Sequence, residues 1–355
     1  MRPLRVALLY NLKKNAPHGA GDPADATAEL DSEDTARALQ RALEAGGHEV
    51  TPLEGDVKLY PTLQRLHDRI DIAFNICEGH RGDSRESQVP AMLEMLGIPY
   101  TASKILAQAL SLDKAMAKRV WMSYGLPTAA FQVFERADEP LFPGLSYPLF
   151  AKPVREGTAK GIDADSILYH ERQLRQRVEW LIKTYQQPAL VEAYLPGREF
   201  TVGLLGNALA PGEGPLSDKY GEDGFHLFPV LEIDTSPLAE SERGIYTNRI
   251  KSDMPLAINY ICPARIEPAL ERELKRLAVA AFLAINGLDV SRVDFRLDAQ
   301  GCPHILEINT LPGMNPEISD LCIMARAEGM AYTELVNDIL HLAARRYSLL
   351  DRASN

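Results

Sequence analysis

Three oxygen-bearing side chains, Asp294, Glu307 and Asn309, lie close together in the segment VDFRLDAQGCPHILEINTLPG (293–313). The apolar, alternating stretches on either side of DAQG predict a β-hairpin. If DAQG is the turn, Arg292 faces Glu307, and Asp294 and Asn309 lie on the same face of the sheet. Oxygen ligands gathered on one face suit Mg²⁺. A solvated hairpin face explains the same pattern equally well.

Two lysines have the positions of phosphate-binding cations. In LFAKPVREGTAKGI, Lys152 is near the end of an apolar strand and precedes a loop that contains Gly157 and Gly161. A compact cation beside such a loop can hold phosphate oxygens, although the GK[ST] arrangement of a Walker A loop is missing. In SLDKAMAK, Lys114 falls in the first turn of a predicted helix, where a nearby phosphate would offset its unfavourable interaction with the helix dipole. Either lysine alone is also compatible with an ordinary surface position.

Two glutamates flank a Pro-Gly break in VEAYLPGREFTVGLLGN. If one strand ends at Leu195 and the next begins at Glu199, Glu192 and Glu199 both border one cleft. Carboxylates accept hydrogen bonds from exocyclic amines and from ribose hydroxyls. Two acids around a turn are also common on protein surfaces, so this pair is weak evidence by itself.

The composition limits the classes of function. The chain of 355 residues is long enough for two or three domains, and its net charge of −11 argues against a general binder of nucleic acid or anionic membranes. No apolar run reaches transmembrane length, and MRPLRVALLYN resembles a buried first strand rather than a signal peptide. The cysteines are far apart, without metal-ligand spacing, which predicts buried free thiols in a reducing cytoplasm. They are Cys77, Cys262, Cys302 and Cys322.

Strand and helix patterns alternate in the first third of the chain, which predicts a parallel sheet covered by helices. Asp31 or Ser32 is expected to cap the first helix, and Gly46 and Gly47 to end it. The polar segment KKNAPHGAGDPADATAEL before that helix predicts a mobile surface loop. Further along, ERQLRQRVEWLIKTY and IEPALERELKRLAVAAFLAING predict helices. The stretch 208–262, rich in Gly, Pro and acids, predicts a long irregular loop.

Together these elements occur in the order and approximate spacing of the ATP-grasp superfamily, and within it the chain resembles the D-alanine–D-alanine ligases. The resemblance covers about 65–355 and depends on MLEMLGIPYTAS, DKAMAK, KPVREG, GREFTVGLLGN and LEINTLPGM. It implies an α/β fold of three domains (1–111, 112–195 and 196–355), with a parallel sheet in the first and ATP between the other two. It also implies a ligase in which ATP phosphorylates a carboxylate and an amine attacks the acylphosphate.

The resemblance also assigns roles at the nucleotide. Lys114 and Lys152 match the lysines that contact the ATP phosphates. Glu192 and Leu195 match positions in the adenine pocket, and Glu199 matches the acceptor for the ribose.

Metal and catalytic roles follow from the same resemblance. Asp294, Glu307 and Asn309 match the ligands of two Mg²⁺ ions, for which Mn²⁺ is a possible substitute. Arg292 matches an arginine that stabilises the charge developing on the transferred phosphoryl group and on the acyl intermediate. The backbone N–H of Gly313 matches an oxyanion donor. Such a transfer needs positioning and charge neutralisation more than a protein nucleophile.

Several positions depart from the family pattern on the substrate side. Glu78, in CEGHRGDSRES, occupies the place of a histidine, and Thr158 that of a serine. The Gly-rich N-terminal segment, whose glutamate receives the first substrate's ammonium, has no counterpart in LLYNLKKNAPHGAG. Lys251, followed here by Ser252 instead of tyrosine, and Ser319 do match the pocket for the second substrate's carboxylate. The first-substrate site is therefore expected to be rebuilt.

These observations favour an ATP- and Mg²⁺-dependent ligase that joins two amino acids, with altered specificity for the first. The alternatives are an authentic D-alanine–D-alanine ligase, a nucleotide-binding regulatory protein without catalysis, and an ATP-grasp enzyme of carboxylase type. The expected partners are amino acids and ATP, with no nucleic acid and no membrane. A homodimer and a cytoplasmic location are expected by analogy with the family.

Overall fold

The computed structural model describes residues 3–17, 19, 21–238 and 258–350. Lys251, which the resemblance aligned with the second-substrate pocket, and Ser252, which stands in place of the family's tyrosine, lie outside the described residues. Part of the predicted irregular stretch 208–262 lies outside them as well.

A three-stranded sheet begins the chain. Its strands are β1 (Arg5–Tyr10), β2 (Glu49–Glu54) and β3 (Ile72–Asn75), and its helices are α1 (Glu33–Ala45), α2 (Leu59–Leu66) and α3 (Gln88–Leu96). All strand pairs are parallel, in the order β2-β1-β3, as the alternating pattern predicted. Ser32 caps α1, because its hydroxyl accepts a hydrogen bond from the N–H of Thr35 at 3.2 Å.

A four-stranded antiparallel sheet follows. Its strands are β4 (Phe131–Phe134), β5 (Leu149–Pro153), β6 (Ile167–Leu168) and β7 (Ala189–Ala193), in the order β4-β7-β5-β6. Its neighbouring helices are α4 (Ile105–Leu112), α5 (Lys114–Ser123) and α6 (Glu171–Tyr185). The bounds of α6 coincide with the predicted amphipathic segment, whereas α4 was not predicted. Asp113 separates α4 from α5 and caps α5 by accepting from the N–H of Met116 at 2.9 Å.

The last sheet has six strands. They are β8 (Glu199–Gly206), β9 (Phe225–Leu227), β10 (Leu231–Asp234), β11 (Asn259–Ile261), β12 (Asp289–Leu297) and β13 (Pro303–Asn309). The order is β11-β10-β8-β12-β13, and β9 also pairs with β8. The prediction of an irregular stretch over 208–262 was wrong for β9, β10 and β11. These strands are only three or four residues long, and between glycines and prolines they leave no recognisable alternation.

The C-terminal helices are α7 (Pro268–Ala284), α8 (Asp320–Ala327) and α9 (Tyr332–Arg346). Apolar residues of α9 such as Leu335 and Ile339 share one buried core with Leu39 and Leu43 of α1. In a second core, the buried Trp121 of α5 donates its indole N–H to the carbonyl of Ala281 in α7, at 3.3 Å. This second core packs α5, whose first residue is Lys114, against α7 and the six-stranded sheet.

All four cysteines are free, as predicted. Cys77 and Cys322 are buried and Cys262 is partly buried, but Cys302 is exposed because it lies in the turn between β12 and β13. Within the described part of the chain, we found no helix with both the length and the apolar character needed to cross a membrane.

Candidate active site

The β12–β13 hairpin brings the predicted metal ligands together in a register different from the expected one. Asp294 lies opposite Glu307, and Arg292 lies opposite Asn309. The prediction that Arg292 faces Glu307 was therefore wrong. The two carboxylates are direct cross-strand neighbours, which places them closer together than the predicted diagonal arrangement.

The register differs because of the turn and of a bulge. The strands close at Leu297 and Pro303, one residue later than predicted, and the pairing shifts again after Asp294. The Asp298 carboxylate stabilises the longer turn by accepting from the N–H groups of Gln300 and Cys302, at 2.9 and 2.8 Å. The bulge re-aims the strand end that carries Glu307.

Asp294 lies in a dense hydrogen-bond network. Arg292 donates to its carboxylate through Nε at 3.0 Å and through Nη2 at 2.9 Å. The Thr201 hydroxyl donates to it at 2.9 Å, and the Asn309 amide does so at 3.3 Å. Burial raises the pKa of Asp294, and the nearby Glu307 charge raises it further, against the opposing effect of Arg292. The site thus concentrates negative charge that a cation would stabilise.

Arg292 also binds a residue that the sequence reasoning missed. Its Nη1 lies 2.8 Å from Oδ2 of Asp320, the first residue of α8. Burial would lower the pKa of Arg292, but Asp294 and Asp320 outweigh that effect and raise it. The guanidinium is therefore held as a fixed cation by two carboxylates. The only sequence signal for Asp320 was its place directly after Ser319.

Lys114 lies beside Glu307, with 3.1 Å between Nζ and Oε2, and its amino group also contacts the carbonyl of Glu156. Burial opposes ionisation of Glu307, but Lys114, Lys152 and Arg292 overcome it and lower its pKa to about 2. The Lys114 ammonium at the start of α5 is thus paired with the Glu307 carboxylate of β13. A bound phosphate would be a second anionic partner.

Lys152 belongs to a buried three-residue ion network. Glu192 on β7 lies 2.7 Å from Lys152 on β5 and 2.8 Å from Lys118 on α5. Burial opposes ionisation of Glu192, but the two lysines lower its pKa to about 2. Lys118 was missed, although a lysine four residues after Lys114 must share its helix face. Glu192 thus fixes both lysines beside the cleft.

Replacing Glu192 with Gln is expected to destabilise the protein by about 3 kcal/mol at pH 7, because it removes the carboxylate between two buried lysines. The folded-state pKa lies below the unfolded value, so this stabilisation is present above about pH 4.5 and is lost as the pH falls towards 2. Urea unfolding at pH 7 and pH 3.5 should therefore give a larger difference from wild type at pH 7. Glu179→Gln, which removes a surface pair with Lys183, is the control and should cost under about 1 kcal/mol. An equally small effect of both variants would contradict the assignment.

The loop after β5 already contacts a carboxylate of the protein, unlike a phosphate-binding loop whose donors are free. Thr158 and Ala159 have left-handed backbones, with φ of 50° and 54°, a strained conformation for a β-branched residue. The N–H of Gly157 donates to the carboxylate of Glu29, which also lies 2.8 Å from Lys160. The Glu29 side chain is only 8% exposed, so the prediction of a surface loop before α1 was wrong at this residue. Its ion pairs come from residues far along the chain.

Two cavities meet at these residues. Cavity A is lined by strands of the four-stranded and six-stranded sheets. The predicted residues that line it are Lys114, Lys152, Thr158, Glu192, Leu195, Glu199, Arg292, Asp294 and Glu307. Cavity B lies towards the N-terminal sheet. The predicted residues that line it are Glu78, Lys114, Thr158, Arg292, Glu307, Asn309, Gly313 and Ser319. The shared residues make one continuous site, although the structure gives no position for Lys251.

Glu199 and Arg296 lie at the far end of cavity A. Nη1 of Arg296, which was not predicted, is 3.5 Å from the Glu199 carboxylate. Burial raises the pKa of Glu199, Arg296 opposes this, and the charges of Asp294 and Glu307 add to it. Glu199 can therefore accept hydrogen bonds from hydroxyl groups in the cavity.

The predicted metal ligands supply only oxygen donors, which suit Mg²⁺ or Mn²⁺. Asp294 and Glu307 offer carboxylates, and Asn309 keeps its amide oxygen available because it uses Nδ2 to contact Asp294. Within residues 3–17, 19, 21–238 and 258–350, no group of three or more His, Cys, Asp or Glu has metal-binding geometry. The protein would thus supply part of a coordination shell, and phosphate and water oxygens would complete it, as is usual for Mg²⁺.

Comparisons with known proteins identify the family and the fold. Residues 120–341 match a family model described as D-ala D-ala ligase C-terminus. The chain is 36% identical over 312 residues to the uncharacterized protein y4sG of Sinorhizobium fredii, covering 86% of each chain. It is 32% identical over 298 residues to a D-alanine–D-alanine ligase of Pelotomaculum thermopropionicum, covering 81% of this chain and 85% of that one. The solved D-alanine–D-alanine ligase of Bacillus anthracis, complexed with ATP, aligns with 98% of this chain and 99% of its own, at a TM-score of 0.71 and 20% identity. The structural similarity confirms the predicted fold class.

Proposed function

The chain belongs to the family of D-alanine–D-alanine ligases, and from that premise we propose that it joins two amino acids through an acylphosphate, at the expense of ATP. The observation that carries the proposal is the junction of cavities A and B. Lys114, Arg292 and Glu307 line both cavities, so a phosphoryl donor in one and a carboxylate in the other would meet beside two cations. That arrangement suits phosphoryl transfer, which depends on positioning and charge neutralisation.

The proposed reaction has two steps. A carboxylate oxygen of the first amino acid attacks the γ-phosphorus of ATP, the bond to the bridging oxygen breaks, and ADP leaves. The amino group of the second amino acid then attacks the acyl carbon and loses a proton, while phosphate leaves with the carboxylate oxygen. Arg292 would stabilise the charge on the transferred phosphoryl group, and the Gly313 N–H would donate to the tetrahedral oxyanion.

Cavity A is the proposed ATP site. Lys114 and Lys152 would contact phosphates, Leu195 and Glu192 would border the adenine, and Glu199 would accept from the ribose. The ion pair with Glu192 supports this role for Lys152, and the ion pair with Glu307 supports it for Lys114, because each pair holds its lysine in place before nucleotide binds.

Asp294, Glu307 and Asn309 would hold Mg²⁺ at the phosphate end of cavity A. The bound cations would neutralise phosphate charge during transfer. The opposed carboxylates of the hairpin support this assignment, and so does the raised pKa of Asp294.

Cavity B is the proposed amino-acid site. Ser319 and Lys251 would bind the second substrate's carboxylate, whereas Glu78 and Thr158 would border the first substrate. The three sheets support three units with the boundaries 1–111, 112–195 and 196–355. A homodimer and a cytoplasmic location also belong to this proposal, by analogy with the family.

Authentic D-alanine–D-alanine ligation is a second candidate, because relatives such as the Pelotomaculum protein carry that name. Glu78, in place of the expected histidine, argues for another first substrate. A regulatory protein without catalysis is disfavoured, because Arg292, Asp294, Glu307 and Asn309 are all present around one junction.

The proposal is tested by incubating the protein with ATP, Mg²⁺ and pairs of amino acids of both configurations, with mass spectrometry of the products. Phosphate and a dipeptide should form in equal amounts, and only with accepted pairs. Hydroxylamine added with the first amino acid should trap its hydroxamate. ATP binding without turnover for any pair would favour the regulatory alternative, and bicarbonate-dependent turnover would favour a carboxylase.

A further inference from the structure

Among the described residues, cavity B contains more carboxylates than the neighbouring cations neutralise. Glu29, Asp31, Glu78 and Glu86 all line it. Glu29 lies 2.8 Å from Arg85 and 2.8 Å from Lys160. The structure gives no ion pair or side-chain hydrogen bond to Asp31, Glu78 or Glu86 among the described residues. Three acidic side chains therefore face this cavity without a partner in the described part of the chain.

Glu86 is the most informative of the three. It lies in a short 3₁₀ turn before α3, is only 9% exposed and lines cavity B. Burial raises the pKa of Glu86 to about 7. The positive charge of Arg85 opposes this rise, and the negative charge of Glu29 adds to it. Lys114 and Lys160 also lower the pKa. A buried carboxylate without a hydrogen-bond partner costs free energy, so a partner supplied by a ligand would be strongly stabilising.

Glu78 and Asp31 extend the same acidic surface. Burial raises the pKa of Glu78 well above its usual value, and the charges of Glu86, Glu29 and Asp31 raise it further, although Arg85 opposes them. Burial alone raises the pKa of Asp31 to about 7. All three side chains line the same cavity, so a cation bound there would interact with more than one of them.

The cations that the structure describes around the cavity are already engaged, and Lys251 is assigned to the second substrate's carboxylate. Arg85 and Lys160 pair with Glu29 and also contact Glu156. Lys114 pairs with Glu307, and Arg292 with Asp294 and Asp320. An ordinary amino acid would bring one ammonium group and leave the remaining buried carboxylates uncompensated. The charge balance thus calls for a ligand with two cationic groups.

We propose that the first amino acid bound in cavity B is basic, with an amine or guanidine at the end of its side chain that contacts Glu86 and Glu78. This inference rests on the proposed function and names its substrate class. In the alternative case, Glu86 and Glu78 stay protonated and only fill space. The cavity would then accept a neutral side chain of the same length.

The test compares lysine with norleucine, which has the same methylene chain without the terminal amine, in both configurations and with one fixed second substrate. Wild type should prefer lysine by roughly 30-fold or more in kcat/KM. Norleucine has no terminal amine, so it would leave the carboxylates of the site without a hydrogen-bond partner. In Glu86→Gln, the ratio of lysine to norleucine kcat/KM should fall at least about tenfold, and Glu86→Asp should retain most of the preference. Glu49→Gln, an exposed acid on β2, is the control and should behave like wild type.

Calorimetric titration of lysine and norleucine into the same proteins gives a readout independent of turnover. Lysine should bind wild type more tightly than norleucine, and Glu86→Gln should lose most of that difference. Equal or better use of norleucine by wild type would overturn the inference while leaving the ligase proposal intact. An unchanged lysine-to-norleucine ratio in Glu86→Gln would overturn it as well. Absence of turnover with every pair, together with Glu86-dependent lysine binding, would remove the proposed function and support the charge assignment.

Discussion

Glu307→Gln is expected to lower amino-acid-dependent kcat/KM by roughly 10³-fold, equivalent to about 4 kcal/mol of transition-state stabilisation. The substitution keeps the shape of the side chain but removes the carboxylate that opposes Asp294 and pairs with Lys114 at 3.1 Å. Both the proposed metal site and the orientation of Lys114, which we propose contacts phosphate, depend on that charge. Steady-state phosphate release, measured across a Mg²⁺ titration, would detect the change.

The control for this variant is Glu317→Gln, whose side chain is 83% exposed and belongs to the segment that follows the hairpin. It should keep wild-type kinetics. Circular dichroism and thermal unfolding would check that Glu307→Gln is folded. A folded variant with normal kcat at every Mg²⁺ concentration would show that the metal assignment is wrong.

Arg292→Lys is expected to lower kcat by roughly 10²-fold or more, with a much smaller change in the Kd for ATP. Arginine makes two hydrogen bonds to Asp294 and a third contact with Asp320. A lysine ammonium is a point charge and cannot reproduce that fork, so the cation would no longer be fixed where charge develops. Turnover kinetics and calorimetric ATP binding together separate the two effects.

Arg272→Lys, at an exposed position of α7, is the matched control and should leave both quantities unchanged. A purely structural role for Arg292 would appear as lower thermal stability with kcat preserved in the folded fraction. That result would remove Arg292 from the catalytic assignment.

Sequence reasoning succeeded where local pattern determines structure. The alternation of strands and helices predicted that the first sheet is parallel, and the amphipathic period gave the bounds of α6. The motifs also selected side chains that line two adjoining cavities, because strand ends and loops bring such residues to one edge. The match to the family over 120–341 agrees with the recognised resemblance.

The errors arose where long-range contacts determine the result. The hairpin register depends on the hydrogen bonds of Asp298 within its turn and on a bulge, and neither feature leaves an alternation pattern. Lys118 and Asp320 act through Glu192 and Arg292, which are distant in sequence. Glu29 was assigned to a surface loop because its partners come from other sheets and turns. A single sequence does not reveal such pairings.

The most direct test of the central claim traces a carboxylate oxygen of the first amino acid into the released phosphate. The first amino acid, labelled with ¹⁸O in both carboxylate oxygens, is incubated with ATP, Mg²⁺ and the second amino acid, and the released phosphate is analysed by mass spectrometry. We expect one ¹⁸O atom in each phosphate, because the carboxylate oxygen that attacks the γ-phosphorus leaves with it. Dipeptide formation with unlabelled phosphate would contradict the acylphosphate route, and release of unlabelled phosphate without dipeptide would contradict the assignment of this chain as an amino-acid ligase.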